Sequence, residues 1–217
     1  TLEHVSVALE SSLTGHAMTD ASDIQALVYY YTDRLDRARP SFEAARTTAA
    51  RMGDGPGEAR ALTGLGLVHQ RLGQFKKAEK AYRDSLEVAT RSGDRKRMAV
   101  TEMNIGTVLQ ITGKSEEAAE HYRASLRASR LLGDDAGMVK AASNLANLLV
   151  NLHQLPEALY WVERVDTGAR RNQMALVMSY NRIVRGMIRH GQGRLDEARK
   201  ELMEAANELR DLGASGE

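Results

Sequence analysis

The sequence predicts an all-α fold of about five stacked helical hairpins, preceded by one further helix. Three observations predict it. Only three prolines (Pro40, Pro56, Pro156) interrupt 217 residues that are 42% hydrophobic and 5% aromatic, with Ala, Leu and Met prominent among the apolar set, a composition of strong helix formers. Gly53-Asp54, Gly93-Asp94 and Gly133-Asp134 recur at a step of 40 residues. Three further columns keep that step without insertion: Ala38, Ala78, Ala118, Ala158 and Ala198; Phe42, Tyr82, Tyr122, Val162 and Leu202; and Gly66, Gly106, Ala146 and Gly186. A hairpin of this length cannot bury its apolar stripe alone, so neighbours stack and share a core.

The elements follow from the register. Leu2 falls one step before Phe42, so residues 1–15 read as a leading second helix without its first. Thr1 is not an initiator methionine, which favours a segment of a longer polypeptide; the alternative is one packing helix added as an N-terminal cap. A single array then places repeats at 16–54, 55–94, 95–134, 135–174 and 175–217, about eleven helices in all. In the second repeat an apolar-periodic segment over 58–72 ends at Gly73, and another over about 75–91 ends at Gly93. Glycine tolerates the left-handed conformation that closes a helix. The small residues of the Gly66 column sit where a large side chain would hold paired helices apart. Three places depart from the pattern. Pro40 lies where the first repeat's second helix should be underway, so that helix starts near Pro40 or kinks. Thr167-Gly168 interrupts the fourth repeat's second helix, which is expected to end early. Arg182, Arg185 and Arg189 fill ordinarily apolar columns, so the fifth repeat's first helix is expected to rotate by about one residue onto Ile183, Val184, Met187 and Ile188. No dedicated cap is visible at Asp211-Leu212-Gly213.

Leu62-Thr63-Gly64-Leu65-Gly66, Gly73-Gln74-Phe75-Lys76-Lys77-Ala78 and Tyr82, then Asn104-Ile105-Gly106, Gly113, Ala118 and Tyr122, resemble the tetratricopeptide repeat. The 40-residue period looks like a longer subclass, found in animal polarity adaptors and in the sensor arrays of bacterial transcription regulators and signalling ATPases. The resemblance covers 18–217 and implies a right-handed superhelix, an α-solenoid, whose first helices line an inner, concave wall. It is specific for fold and poorly specific for function.

On such helices, positions two, six, nine and thirteen lie within about 60° of one another. The stripes are Asp20, Ile24, Leu27 and Tyr31; Arg60, Gly64, Leu67 and Arg71; Val100, Asn104, Thr107 and Ile111; Lys140, Asn144, Asn147 and Asn151; and Tyr180, Val184, Met187 and Gly191. Three asparagines share one helix face opposite Ala141, Ala142, Leu145, Leu148 and Leu149. A carboxamide both donates and accepts, so a ladder of them can pair with an extended peptide backbone whatever its side chains, and Asn104 extends the ladder. The competing reading leaves these amides solvated or bridging helices. The expected partner-binding residues are Lys140, Asn144, Asn147, Asn151, Asn104, Thr107, Arg60, Leu67 and Arg71, with apolar area from Leu67, Ile111 and Val150. The family's clamp for acidic C-terminal peptides is incomplete, since Val100 and Thr107 stand beside Lys140 and Asn144 in place of cations. Arg60 and Arg71 either hold an acidic side chain or pair within the array. Of Tyr29, Tyr30 and Tyr31, at least one must be exposed.

Other chemistries find no support. Thirty basic against 29 acidic residues give a net charge of +1, which argues against a general nucleic-acid surface. The local basic run Arg182, Arg185, Arg189, Arg194 and Arg199 lacks interleaved aromatics; it reads as pairing with Asp196, Glu197, Glu201 and Glu204, or as docking a following domain, ahead of phosphate contact. There is no cysteine, and the six histidines never pair at metal-ligand spacing. Gly53–Gly57 lacks the strand and Gly-Lys-Ser/Thr of a phosphate loop, and no nucleophile elbow exists. No cofactor is expected. No apolar run reaches membrane length and no signal pattern opens the chain, so a cytoplasmic setting fits. The reading is a non-catalytic scaffold binding a protein or extended peptide, which includes another domain of the same protein, in a larger regulatory, bacterial-type protein. The alternatives are a self-assembly module stacking through uncapped ends and a small-effector sensor of a transcription regulator. Oligomeric state stays open.

Overall fold

The structure, a computed structural model, describes residues 15–171 and 173–214. Among them are ten α-helices: α1 (Gly15–Tyr31), α2 (Leu35–Met52), α3 (Gly55–Arg71), α4 (Phe75–Ser92), α5 (Arg95–Ile111), α6 (Ser115–Leu132), α7 (Asp135–Asn151), α8 (Leu155–Arg171), α9 (Ala175–Gly191) and α10 (Leu195–Ala214). No strand occurs among the described residues, and the fold class is the all-α helical-repeat, or α-solenoid, class. The leading helix expected over 1–15 lies outside the described residues, except for Gly15, which opens α1. The chain forms two compact units, one up to Val108 and one from Leu109.

The periodic Gly-Asp pair does two jobs. Gly53, Gly93 and Gly133 take φ of 70°, 71° and 67° and close α2, α4 and α6. The following aspartate then caps the next helix: Asp54, Asp94 and Asp134 each accept at Oδ1 from the backbone N–H three residues on, at 2.9–3.0 Å. Each such cap contributes about 1 kcal/mol. Between the helices of a hairpin the left-handed place falls at residues 33, 73, 113, 153 and 193. Asp33 and His153 occupy it in two hairpins, which accounts for His153 as a turn residue.

In the first unit α1 packs on α2, α2 on α3 and α3 on α4. The core runs through Ala26, Tyr29, Ala38, Phe42, Leu65, Val68 and Ala81, each large side chain contributing about 1.5–3 kcal/mol by its burial. Two glycines set the helix spacing. A Cβ on Gly64 would stand 2.3 Å from the Phe42 ring, and one on Gly66 2.3 Å from the Tyr82 ring. The Tyr82 hydroxyl donates to Gln70 Oε1 at 2.9 Å. Buried Thr63 and Ser85 share a hydrogen bond at 2.9 Å, and Ser85 donates to the Ala59 carbonyl at 2.7 Å.

In the second unit α7 packs on α6 and α8, and α9 on α8 and α10, around Leu145, Leu148, Leu149, Val162 and Ile188. The Tyr–Gln pair recurs, with the Tyr122 hydroxyl donating to Gln110 at 2.8 Å. Three expectations need correction. The helix carrying Pro40 starts at Leu35 and not near Pro40, which overturns the first of the two alternatives; the exposed proline sits in the second turn and lacks the N–H that would bond to the Asp36 carbonyl. α8 continues to Arg171 through Thr167-Gly168; a Cβ on Gly168 would meet Val139 Cγ2 at 2.5 Å, so the glycine admits a neighbour and does not end the helix. α9 is not rotated: a Cβ on Gly186 would meet Leu202 Cγ at 2.9 Å, the same column-to-column approach as Gly66 to Tyr82. Arg182, Arg185 and Arg189 keep their column by pairing with carboxylates of α8 and α10.

Candidate functional site

The stripe in the first unit is built on α1, α3 and α5. Tyr29 is buried, Tyr30 half-buried, and Tyr31 is 75% exposed, so one tyrosine of the three does stand out in solvent. Tyr31 packs edge-on against Tyr30, with centroids 5.3 Å apart. Both stripe cations are engaged with α1 and its turn. Arg60 Nε donates to Asp23 Oδ2 at 2.9 Å, and its guanidinium also binds Asp20. Arg71 donates to the Tyr30 carbonyl at 3.2 Å, pairs with Asp33 at 3.4 Å and lies over the Tyr30 ring at 5.1 Å. Leu67, Asn104 and Thr107 are half-buried, and the Thr107 hydroxyl donates to the Met103 carbonyl at 3.0 Å.

Sequence reasoning missed Asp23, which is buried beside Arg60. Burial raises its pKa above the ordinary 3.8, although the hydrogen bond and charge of Arg60 oppose the shift. The Arg60 guanidinium is held above its own ordinary value: burial works against its charge, and the carboxylates of Asp23 and Asp20 outweigh burial. Arg97 is shifted down by burial. Asp23 Oδ1 and Arg97 Nε are both buried without a hydrogen-bond partner among the described residues.

The second unit carries the amide stripe on α7. Lys140, Asn147 and Asn151 are exposed and Asn144 is half-buried. Ala141, Ala142, Leu145, Leu148 and Leu149, around the other side of the helix, are all buried. None of the three stripe asparagines makes a side-chain hydrogen bond among the described residues. Asn181 of α9 shows the contrast. It is fully buried, and its Nδ2 donates to the Val162 carbonyl at 2.9 Å and to Asp166 Oδ1. The core asparagine spends its amide nitrogen inside the fold, although its Oδ1 is buried without a partner among the described residues; those on the stripe face outward. Ile111 is exposed, whereas Val150 belongs to the buried row and supplies little partner-facing area, because it lies one residue round the helix from Asn151 toward Leu149.

The arginines of α9 are spoken for. Arg182 reaches Glu201, Glu204 and Glu208; Arg185 reaches Asp166 and Glu201; Arg189 and Arg194 both reach Glu197. Burial disfavours the charge of Arg182, but Glu208, Glu201 and Glu204 outweigh it and raise its pKa. Among the described residues no cluster of three or more histidines and acids is placed to hold a metal ion, and no described helix is long and apolar enough to cross a membrane.

Behind α7, a cavity of 540 Å³ opens between α6, α7 and α8. Its lining includes Leu126, Val139, Ala142, Tyr160 and Trp161, together with charged residues such as Arg164. The two rings meet edge-on at 5.1 Å, Arg164 covers Tyr160 at 4.8 Å, and Trp161 Nε1 donates to Glu157 at 3.4 Å.

A sequence model of the tetratricopeptide repeat matches residues 20–91 and 97–165. No curated protein matches the chain. Among solved structures it is similar to BtubC (BKLC) from P. vanneervenii, at 18% identity and a TM-score of 0.80, over 92% of this chain and 82% of that one. It is also similar to a Rap protein complexed with Competence and Sporulation Factor, at 16% identity and a TM-score of 0.78, over 96% of this chain and 59% of that one. The Rap conjugation gene regulator of the plasmid pLS20, in complex with the Phr* peptide, is similar at 20% identity and a TM-score of 0.77, over 96% of this chain and 58% of the other. This chain thus spans under two thirds of either Rap protein. At these identities the likeness is one of fold.

Proposed function

Because the chain belongs to the tetratricopeptide repeat family, we propose that it is a non-catalytic scaffold that holds a protein or an extended peptide on its first-helix faces. It would serve as the interaction or sensor segment of a larger cytoplasmic regulatory protein of bacterial type. The observation that carries this reading is the outward amide face of α7. Asn144, Asn147 and Asn151 leave donors and acceptors unspent, on a helix whose opposite side is solid core. Such a row can pair alternately with the N–H and C=O groups of an extended backbone. Lys140, at the start of the row, favours an acidic residue there. Leu67, Asn104 and Thr107 offer a smaller, half-buried surface in the first unit. Arg60 and Arg71 act through α1, whose orientation they fix, more than through direct contact. The pLS20 Rap regulator, similar in fold, is described with a bound peptide, which lends the reading support by analogy.

The test starts from extended peptides selected against the folded chain from a random library. Asn144→Ala with Asn147→Ala should weaken the selected peptides by about 5- to 150-fold, two hydrogen bonds at about 0.5–1.5 kcal/mol each, with helicity and melting temperature nearly unchanged. Unaltered affinity would remove these residues from the site.

The aromatic-walled cavity favours a second reading, a small-effector sensor, because its volume suits a compact organic ligand. Trp161 is the chain's single tryptophan and reports on this cavity alone. A saturable change in its emission, with a rise in melting temperature, is expected for a true effector in a metabolite panel. Ala142→Phe should abolish both responses; binding that survives that filling excludes the cavity.

A further inference from the structure

The cavity of the second unit lies where the first unit is packed. In the first unit Leu62 and Val88 are buried together with Ala59 and Ala89 in one cluster. Two repeats on, their register equivalents are Ala142 and Gly168, and both line the 540 Å³ cavity. Val139, in the place of Ala59, takes back the room that Gly168 gives up, since a Cβ there would meet Val139 Cγ2 at 2.5 Å. The exchange of leucine for alanine at position 142 stays as open space. Giving up buried methylenes costs stability, which a ligand seated there would restore.

Tyr160 and Trp161 line this space at the register positions of Lys80 and Ala81. Both rings are held beforehand. Trp161 Nε1 donates to Glu157, which Arg123 grips at 2.9 Å, and Arg164 covers Tyr160. Preset rings lose little freedom when a flat apolar group settles against them.

Charge narrows the ligand further. Two acids and two arginines line the cavity. Asp135 and Arg171 pair with each other at 3.6 Å. Glu163 and Arg164, adjacent in the chain and both exposed, form no ion pair among the described residues. A ring bearing only one charge would be attracted by one of them and repelled by the other. A ring bearing an ammonium and a carboxylate on one carbon meets a partner for each.

Building on the small-effector reading of this cavity, we propose that it binds a free aromatic α-amino acid. The ring lies against Tyr160 and Trp161, the carboxylate meets Arg164 and the ammonium meets Glu163.

The experiment titrates the 217-residue chain with L-phenylalanine and three relatives, following Trp161 emission and melting temperature. The relatives are 3-phenylpropionate, which lacks the ammonium, 2-phenylethylamine, which lacks the carboxylate, and N-acetylphenylalanine amide, which lacks both charges. Phenylalanine is expected to give a saturable response, and each relative to bind at least about tenfold more weakly, for want of a charge-assisted hydrogen bond. Glu163→Gln should weaken phenylalanine by about tenfold and leave 3-phenylpropionate unchanged, whereas Arg164→Gln should weaken phenylalanine equally and leave 2-phenylethylamine unchanged. Circular dichroism checks the fold of both variants. A relative that binds as tightly as phenylalanine, or a charge variant without effect on it, overturns the amino-acid class and leaves the cavity a small-ligand site. Silence from all four compounds also overturns the class, and the metabolite panel then decides whether the cavity takes any effector. Phenylalanine binding that survives Ala142→Phe overturns the class and the cavity together.

Discussion

Gly66→Ala is expected to destabilise the chain by about 2–3 kcal/mol, and Gly66→Val by more, because overpacking strains a core that cannot yield. The added Cβ would stand 2.3 Å from Tyr82 Cε1. That ring is fully buried, and its hydroxyl is fixed by Gln70. Helix propensity works the other way, since alanine is favoured over glycine by about 1 kcal/mol within a helix, so the clash must exceed that gain to show. Gly186→Ala provides the internal comparison at the same column. There the neighbour is Leu202 Cγ at 2.9 Å, on a flexible side chain that is partly exposed and able to move. Its expected cost is near zero. Urea melts of the two variants decide the matter, and equal stabilities would show that ring contact does not set helix spacing. Tyr82→Leu in the Gly66→Ala background should recover part of the loss, by making the pair resemble Gly186 and Leu202.

The repeat was legible because one residue pair carries two backbone tasks at three of its boundaries, the fourth being Gln173-Met174. Gly53 must be left-handed and Asp54 must cap, so neither can drift and the step of 40 survives. Tertiary causes of the same residue types were less legible. Gly168 looks like a helix breaker in isolation, and only the position of Val139 explains it. The α9 arginines looked like a displaced apolar face because a guanidinium column is readable only with its carboxylates in place. In the candidate site, the α7 face could be drawn from helical geometry alone, and its amides lie as drawn. The pairing of Arg60 had a signal of its own: Asp20 precedes it by one full repeat, and residues in one column of adjacent first helices are neighbours. Asp23 carried no such mark, because nothing in a polar helical stretch distinguishes a buried carboxylate from a solvated one.

The widest effect among the charged residues is expected at Arg182. Its guanidinium holds Glu201, Glu204 and Glu208 around one centre, at 3.2 Å for both Glu201 and Glu208. It thereby joins α9 to α10 at three successive turns. Removing a single partner from a partly buried cluster leaves uncompensated charge, which costs more than the pair itself contributes. Arg182→Met keeps the apolar stem and deletes the charge, leaving three carboxylates to repel one another. The side chain is 28% exposed and its partners 18–42%, so solvent screening reduces the penalty to about 1–3 kcal/mol. One signature separates this cause from lost packing. The deficit should shrink in high salt, which screens the repulsion. Arg182→Lys should restore only part of the loss, since an ammonium cannot present a planar fork to three carboxylates at once. A deficit that ignores salt would assign the role of Arg182 to its hydrocarbon stem.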